Sequence, residues 1–200
     1  MNNSKQVIQY LEEVAQILLQ LRVILPFHIL VAGGAYMLLQ EKRKSTKDID
    51  FALLEPPQVI PTEPFRIHVQ KTEISKHTIP YALEFQQAID IVAHKHKNLE
   101  DDWLNDEAAI YYYDDTRYAE VTFWRSFGNN ILHVYLPTLE YMFATKIAAY
   151  RPKDMKDIQS IIHDLQIQTR EQAQAIVDTF LLPDAQEFYE VDKRLRRLFH

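Results

Sequence analysis

Phe27-His28-Ile29-Leu30-Val31-Ala32-Gly33-Gly34-Ala35-Tyr36-Met37-Leu38-Leu39-Gln40, followed after a basic loop by Asp48-Ile49-Asp50-Phe51-Ala52-Leu53-Leu54, decides how this chain is read. The first run is β-rich up to Ala32, breaks at a glycine pair and resumes with helical spacing, so it predicts strand, tight turn, helix. The second predicts another strand, closed by the prolines at 56, 57, 61 and 64. Only three glycines occur in 200 residues and two of them are adjacent, which marks a backbone that needs positive φ or close approach to a ligand.

Working outward, Val7, Ile8, Leu11, Val14, Ala15, Leu18 and Leu21 recur at helical spacing from Ser4 to Leu25, with Ser4 as N-cap and Pro26 as stop. Residues 55–78 are irregular apart from a short strand at Phe65–Val69, and Pro80 to Asn98 reads as helix. Tyr118–Arg125 and Ile131–Leu136 predict a hairpin turning at Gly128-Asn129-Asn130. Beyond it, helices open at Pro137 or Thr138, at Pro152 and at Thr169, and Asp184 to His200 continues as an amphipathic segment with a basic end. Strands fill the first two thirds and helices the rest. The expected fold is therefore α+β, with a small mixed sheet and flanking helices at 1–137 and a helical C-terminal lobe at 138–200.

An apolar fraction of 47% suits a chain with a real core, and a net charge of −6 excludes coating nucleic acid by bulk electrostatics. With no cysteine, a disulfide scaffold, zinc ribbon or thiol nucleophile is excluded. The charged, amphipathic N-terminal pattern lacks a cleavage site or long apolar run, so the expectation is a soluble, unprocessed, cytoplasmic protein without membrane contact.

Strand periodicity puts Asp48 and Asp50 on one face while Ile49 and Phe51 point to the core. Two adjacent carboxylates repel unless a cation neutralises them, a situation that suits Mg²⁺ or Mn²⁺ with phosphate oxygens completing the shell. A bare acidic strand start is the alternative. The Gly33-Gly34 turn aims backbone N–H groups and a helix N-terminus at one point, which makes an anion site, or else simply a tight turn. Arg43, Ser45 and Thr46 stand just before the acidic strand, where a cation and hydroxyls could meet a triphosphate; a solvated basic loop is the plain reading. His94-Lys95-His96 is no metal pair on a helix, because i and i+2 do not share a face. His133, between Leu132 and Val134, reads as a packed or surface histidine.

Val31-Ala32-Gly33-Gly34 followed by Asp48-Ile49-Asp50-Phe51 resembles the signature of the DNA polymerase β-like nucleotidyltransferase superfamily. The resemblance implies that Gly33 and Gly34 bind nucleotide phosphates and that Asp48 and Asp50 bind metal. Lys146-Ile147-Ala148-Ala149-Tyr150-Arg151-Pro152-Lys153-Asp154-Met155-Lys156-Asp157 is similar to the lysine helix and Arg/Lys-Asp segment of AbiEii-like toxin nucleotidyltransferases and related uncharacterised bacterial proteins, which Trp103-Leu104-Asn105 also resembles. It makes Lys146 a phosphate or substrate ligand, where otherwise it is a snorkelling surface lysine. Asp154 and Asp157 orient Lys146 or Arg151, or one activates the acceptor hydroxyl; alternatively they complement a helix N-terminus. Many members of the superfamily carry a third carboxylate on a later strand, for which Glu120 is the one obvious residue and Asp90 a poorer one.

The expected activity is transfer of a nucleoside monophosphate from a nucleoside triphosphate to an RNA or protein hydroxyl, as in a toxin with a partner antitoxin, with Asp48, Asp50, Lys146 and Asp157 catalytic. The rivals are an inactive nucleotide-binding or protein-interaction module on the same fold, and an α+β interaction domain in which the motifs are accidental.

Overall fold

A computed structural model describes residues 1–70, 79–106, 115–116 and 118–199. The protein is α+β, built on a six-stranded mixed sheet. In chain order come α1 (Ser4–Gln20), β1 (Phe27–Val31), α2 (Gly33–Leu39), β2 (Ile49–Leu53), β3 (Phe65–Ile67), α3 (Ala82–Lys95), β4 (Leu104–Asn105), β5 (Ala119–Phe127) and β6 (Leu132–Pro137). Then follow α4 (Leu139–Ala149), a 3₁₀ turn (Pro152–Asp154), α5 (Met155–Asp164), α6 (Arg170–Phe180), α7 (Pro183–Phe188) and α8 (Val191–Leu198). The tyrosine-rich stretch at 107–114 and the end of the irregular stretch, 71–78, lie outside the described residues.

The strand order is β3-β5-β6-β1-β2-β4. β1 is central, antiparallel to β2 and parallel to β6. All five of its residues are buried, as expected of a strand covered on both faces. Phe27 of β1 and Phe51 of β2 both pack on Phe85 of α3, which places α3 over one face. α1 lies beside α3 and reaches the β5–β6 turn, where a Cβ on Gly128 (φ +54°) would stand 2.7 Å from that of Ala15. The hairpin therefore requires glycine there.

Two expectations, the bounds of α1 and the form of the helix start at Pro152, are corrected, and the structure adds detail at two further places. Asn3, not Ser4, caps α1, its side chain accepting from the Gln6 N–H, and the helix ends at Gln20 because Arg22 takes a left-handed φ of 60° well before Pro26. The C-terminal segment is two helices, α7 and α8, broken where Glu190 takes a left-handed conformation. The helix expected at Pro152 opens as a 3₁₀ turn. A short strand, β4, pairs with β2 in parallel. The other caps fall where the sequence put them: Thr138 on α4, and Thr169 on α6 in a reciprocal capping box with Gln172.

The buried side chains form one cluster that runs from the sheet into α4 and α6, through Phe143, Ile147 and Val177. No helix among the described residues is long and apolar enough to cross a membrane.

Candidate active site

The antiparallel pairing of β1 with β2 places the glycine turn against the acidic strand. Val31 stands opposite Phe51, and the Ala32 N–H donates to the Asp50 carbonyl at 2.9 Å. Gly33 opens α2 at φ +59°, and a Cβ there would lie 1.9 Å from Asp50 Oδ2. Glycine is required twice over, by conformation and by the approach of the carboxylate. A Cβ on Gly34 would lie 2.5 Å from Thr46 Oγ1 and 2.8 Å from Arg43 Nη1. Thr46 is buried, and its hydroxyl donates to the Asp48 carbonyl at 3.0 Å, which ties the basic loop to the start of β2.

Two adjoining pockets share Asp50 and Arg151. The polar one also has Gly34, Arg43, Thr46 and Asp48 in its wall, with Lys47 and Lys153 beside them. Asp48 and Asp50 thus open on the same cleft as the glycine turn, while Ile49 and Phe51 are buried beneath. Burial raises the Asp50 pKa, and the neighbouring Asp48 raises it further, against the opposing charges of Arg151, Lys153 and Lys146. A carboxyl destabilised in this way, paired with a second one, offers oxygen atoms of the kind that a hard divalent cation such as Mg²⁺ or Mn²⁺ takes. Among the described residues no cluster of three or more His, Cys, Asp or Glu is placed to hold a metal.

The second pocket is more apolar and lies between the sheet and the C-terminal helices, walled by Gly33 and Asp50 on one side and by Met142, Lys146 and Ala149 of α4 on the other. Lys146 is only 3% exposed, so it is no surface lysine. Its ammonium donates to Asp154 at 3.0 Å and to Asp157 at 2.9 Å. Asp154 also accepts from Arg151 Nε at 2.6 Å, and Arg43 Nη1 lies 3.9 Å from Asp157. Burial opposes ionisation of Asp154, but the hydrogen bonds from Arg151 and Lys146 prevail and hold its pKa below the usual value. This chain of five charges fastens Arg43 and Arg151, the two arginines of the polar pocket, to one buried lysine. Asp154 and Asp157 pair with those cations, and the Lys146 ammonium is held by both carboxylates.

Among the residues singled out from sequence, Asp48, Asp50, Gly34, Arg43 and Thr46 meet in the polar pocket, and Gly33, Asp50 and Lys146 in the apolar one. Asp157 joins them through Lys146. Ser45 is exposed and lines neither pocket. Glu120 is bound to Thr138 on β5, separated from β2 by β6 and β1, and Asp90 faces Gln86 and His94 on α3, so neither supplies a third acid to the cleft. On β4, Asn105 stands in register with Asp50, and the buried Asp106 follows it. His133 stacks on His28 and bonds to Ser126, while His96 and Lys95 bind Glu13.

Sequence reasoning missed Tyr189 and Arg194, which complete the apolar pocket from the C-terminal helices. Their only signal was the basic amphipathic pattern of the last segment, which does not say where that helix docks. Comparison with known proteins finds no matching family model, no matching curated protein and no matching solved structure.

Proposed function

We propose that this protein is a metal-dependent nucleotidyltransferase on a nucleotidyltransferase-like fold. One observation carries the reading: two carboxylates, Asp48 and Asp50, open on the same basic cleft as the Gly33-Gly34 turn. Asp48 and Asp50 would hold Mg²⁺ or Mn²⁺, which when bound neutralises phosphate charge as a Lewis acid. The α2 N-terminus and the Gly34 backbone receive the phosphates, and Arg43, Arg151 and Lys153 offset their charge. An acceptor hydroxyl from RNA or protein then attacks the α-phosphorus in line. The new oxygen–phosphorus bond forms as the bond to the bridging oxygen breaks, pyrophosphate leaves, and the hydroxyl proton passes to solvent. Lys146, Asp154 and Asp157 fix the arginines. The resemblance of the lysine helix to toxin nucleotidyltransferases extends this proposal to a cytoplasmic toxin neutralised by an antitoxin.

An inactive nucleotide-binding or protein-interaction module on the same fold is favoured by one observation, that no cluster of three or more His, Cys, Asp or Glu is placed to hold a metal among the described residues. Incubation with labelled nucleoside triphosphates, Mg²⁺ and total cell RNA separates the two. Label on RNA or on the protein that disappears with EDTA and with Asp48→Asn supports transfer. Binding of nucleotide without labelling supports the module, and neither binding nor labelling removes both.

A further inference from the structure

The apolar pocket has features that transfer chemistry alone does not require. Asp50, Lys146 and Arg151 lie on its side toward the polar pocket, and the rest of its wall has the small or apolar side chains Met142, Ala148 and Ala149 of α4 with Thr145, closed by Tyr189 and Arg194. Arg194 is fixed in place: its Nη1 donates to the carbonyls of Ile147 (2.9 Å) and Ala148, in the last turn of α4. Its guanidinium carbon stands 5.5 Å from the Tyr150 ring centre and 5.6 Å from that of Tyr189. An arginine oriented by backbone carbonyls and lying beside two rings presents N–H donors and no acceptor.

Asp50 and Arg151 belong to both pockets, so a ligand with its phosphates over the glycine turn extends past them into the apolar pocket. We infer that the apolar pocket takes the base of the nucleoside triphosphate and that Arg194 selects a keto base, guanine or uracil. The inference rests on the nucleotidyltransferase reading. Flat, weakly polar rings suit a wall of methyl groups and a tyrosine. A keto oxygen accepts from a guanidinium, as guanine O6 does, whereas the exocyclic amino groups of adenine and cytosine turn hydrogens toward it. One such hydrogen-bonded contact separates right from wrong base by roughly tenfold or more.

The test measures equilibrium binding of GTP, UTP, ATP and CTP in the same Mg²⁺ buffer, with inorganic tripolyphosphate as the probe of the polar pocket alone. GTP and UTP are expected to bind roughly tenfold or more tightly than ATP and CTP. Arg194→Gln, whose side-chain amide both donates and accepts, is expected to erase that difference. Because Arg194 also bonds to α4, Ala149→Leu serves as a second variant: it fills the apolar pocket, so nucleotide affinity falls toward that of tripolyphosphate while tripolyphosphate binding stays at the wild-type level. Equal binding of all four nucleotides, or preference for ATP and CTP, overturns the base pocket and leaves the transfer reading standing. Failure of tripolyphosphate itself to bind with Mg²⁺ overturns both.

Discussion

Replacing Gly33 by alanine probes the contact on which the site depends. The substitution acts through two separable effects. At φ +59° a non-glycine residue costs about 1–2 kcal/mol, which in a chain of this size lowers the melting temperature by about 2–8 °C. The new Cβ would lie 1.9 Å from Asp50 Oδ2, so the carboxylate must retreat by roughly 1 Å or more to reach ordinary contact, and a displacement of that size in a reacting assembly costs about 100-fold in rate. Gly34→Ala is the control. Its φ is ordinary, so it carries a steric effect, a Cβ 2.5 Å from Thr46 Oγ1 and 2.8 Å from Arg43 Nη1, without the conformational one, and its melting temperature should change less. The assay pairs thermal melting with Mg²⁺-dependent labelling from a nucleoside triphosphate. Unchanged melting and full labelling in Gly33→Ala would refute both the strained turn and the placement of Asp50 in the reaction.

Asp50→Asn should abolish labelling yet melt at or above wild type near neutral pH. The raised pKa means that Asp50 favours folding below the unfolded value of 3.8, and that this contribution is lost as pH rises through the folded value, so the variant should also flatten the pH dependence of melting just above 3.8; a clear fall in melting temperature at neutral pH contradicts this. Lys146→Met removes an ion pair from each of two buried aspartates and should destabilise by about 3–5 kcal/mol, measured by urea unfolding, whereas a wild-type midpoint would mean that the network is not holding the lobe together. His28, buried and beside His133, has its pKa lowered from 6.5 to about 4, so its contribution to stability is present above 6.5 and lost as pH falls toward 4. His28→Phe should therefore lose less melting temperature than wild type between pH 7 and pH 5, and identical losses would assign the acid sensitivity elsewhere.

The strand, turn, helix and second strand around Gly33 were legible because each rests on local signals: a β-rich run, a glycine pair, helical spacing, then an alternating acidic and apolar strand start. Thr138 and Thr169 were legible for the same reason, since a cap is written within four residues. β4 was not, because two residues, Leu104 and Asn105, are too few for any periodicity, and only pairing with β2 makes them a strand. The acidic pair and the glycine turn could be joined from sequence by their spacing. The pairing of Lys146 with Asp154 and Asp157 could be guessed from the order of residues, but its burial could not. The share of Tyr189 and Arg194 in the site depends on how α8 packs against α4, a tertiary fact with no trace in either helix alone.

The central position of β1 bears on when the site comes into being. Its pairing with β2 is local, but its other edge waits for β6, and the contact of His28 with Tyr135 closes a separation of 107 residues. Long-range strand pairing of this kind is slow, because loop closure is paid before the contacts form. During synthesis the glycine turn and both aspartates precede β6, so the sheet that holds them remains half built until the segment ending at Pro137 has left the ribosome, and α4 with its lysine follows directly. The acidic pair is therefore made before the framework that aims it, and the cleft forms only once β6 and α4 have been added.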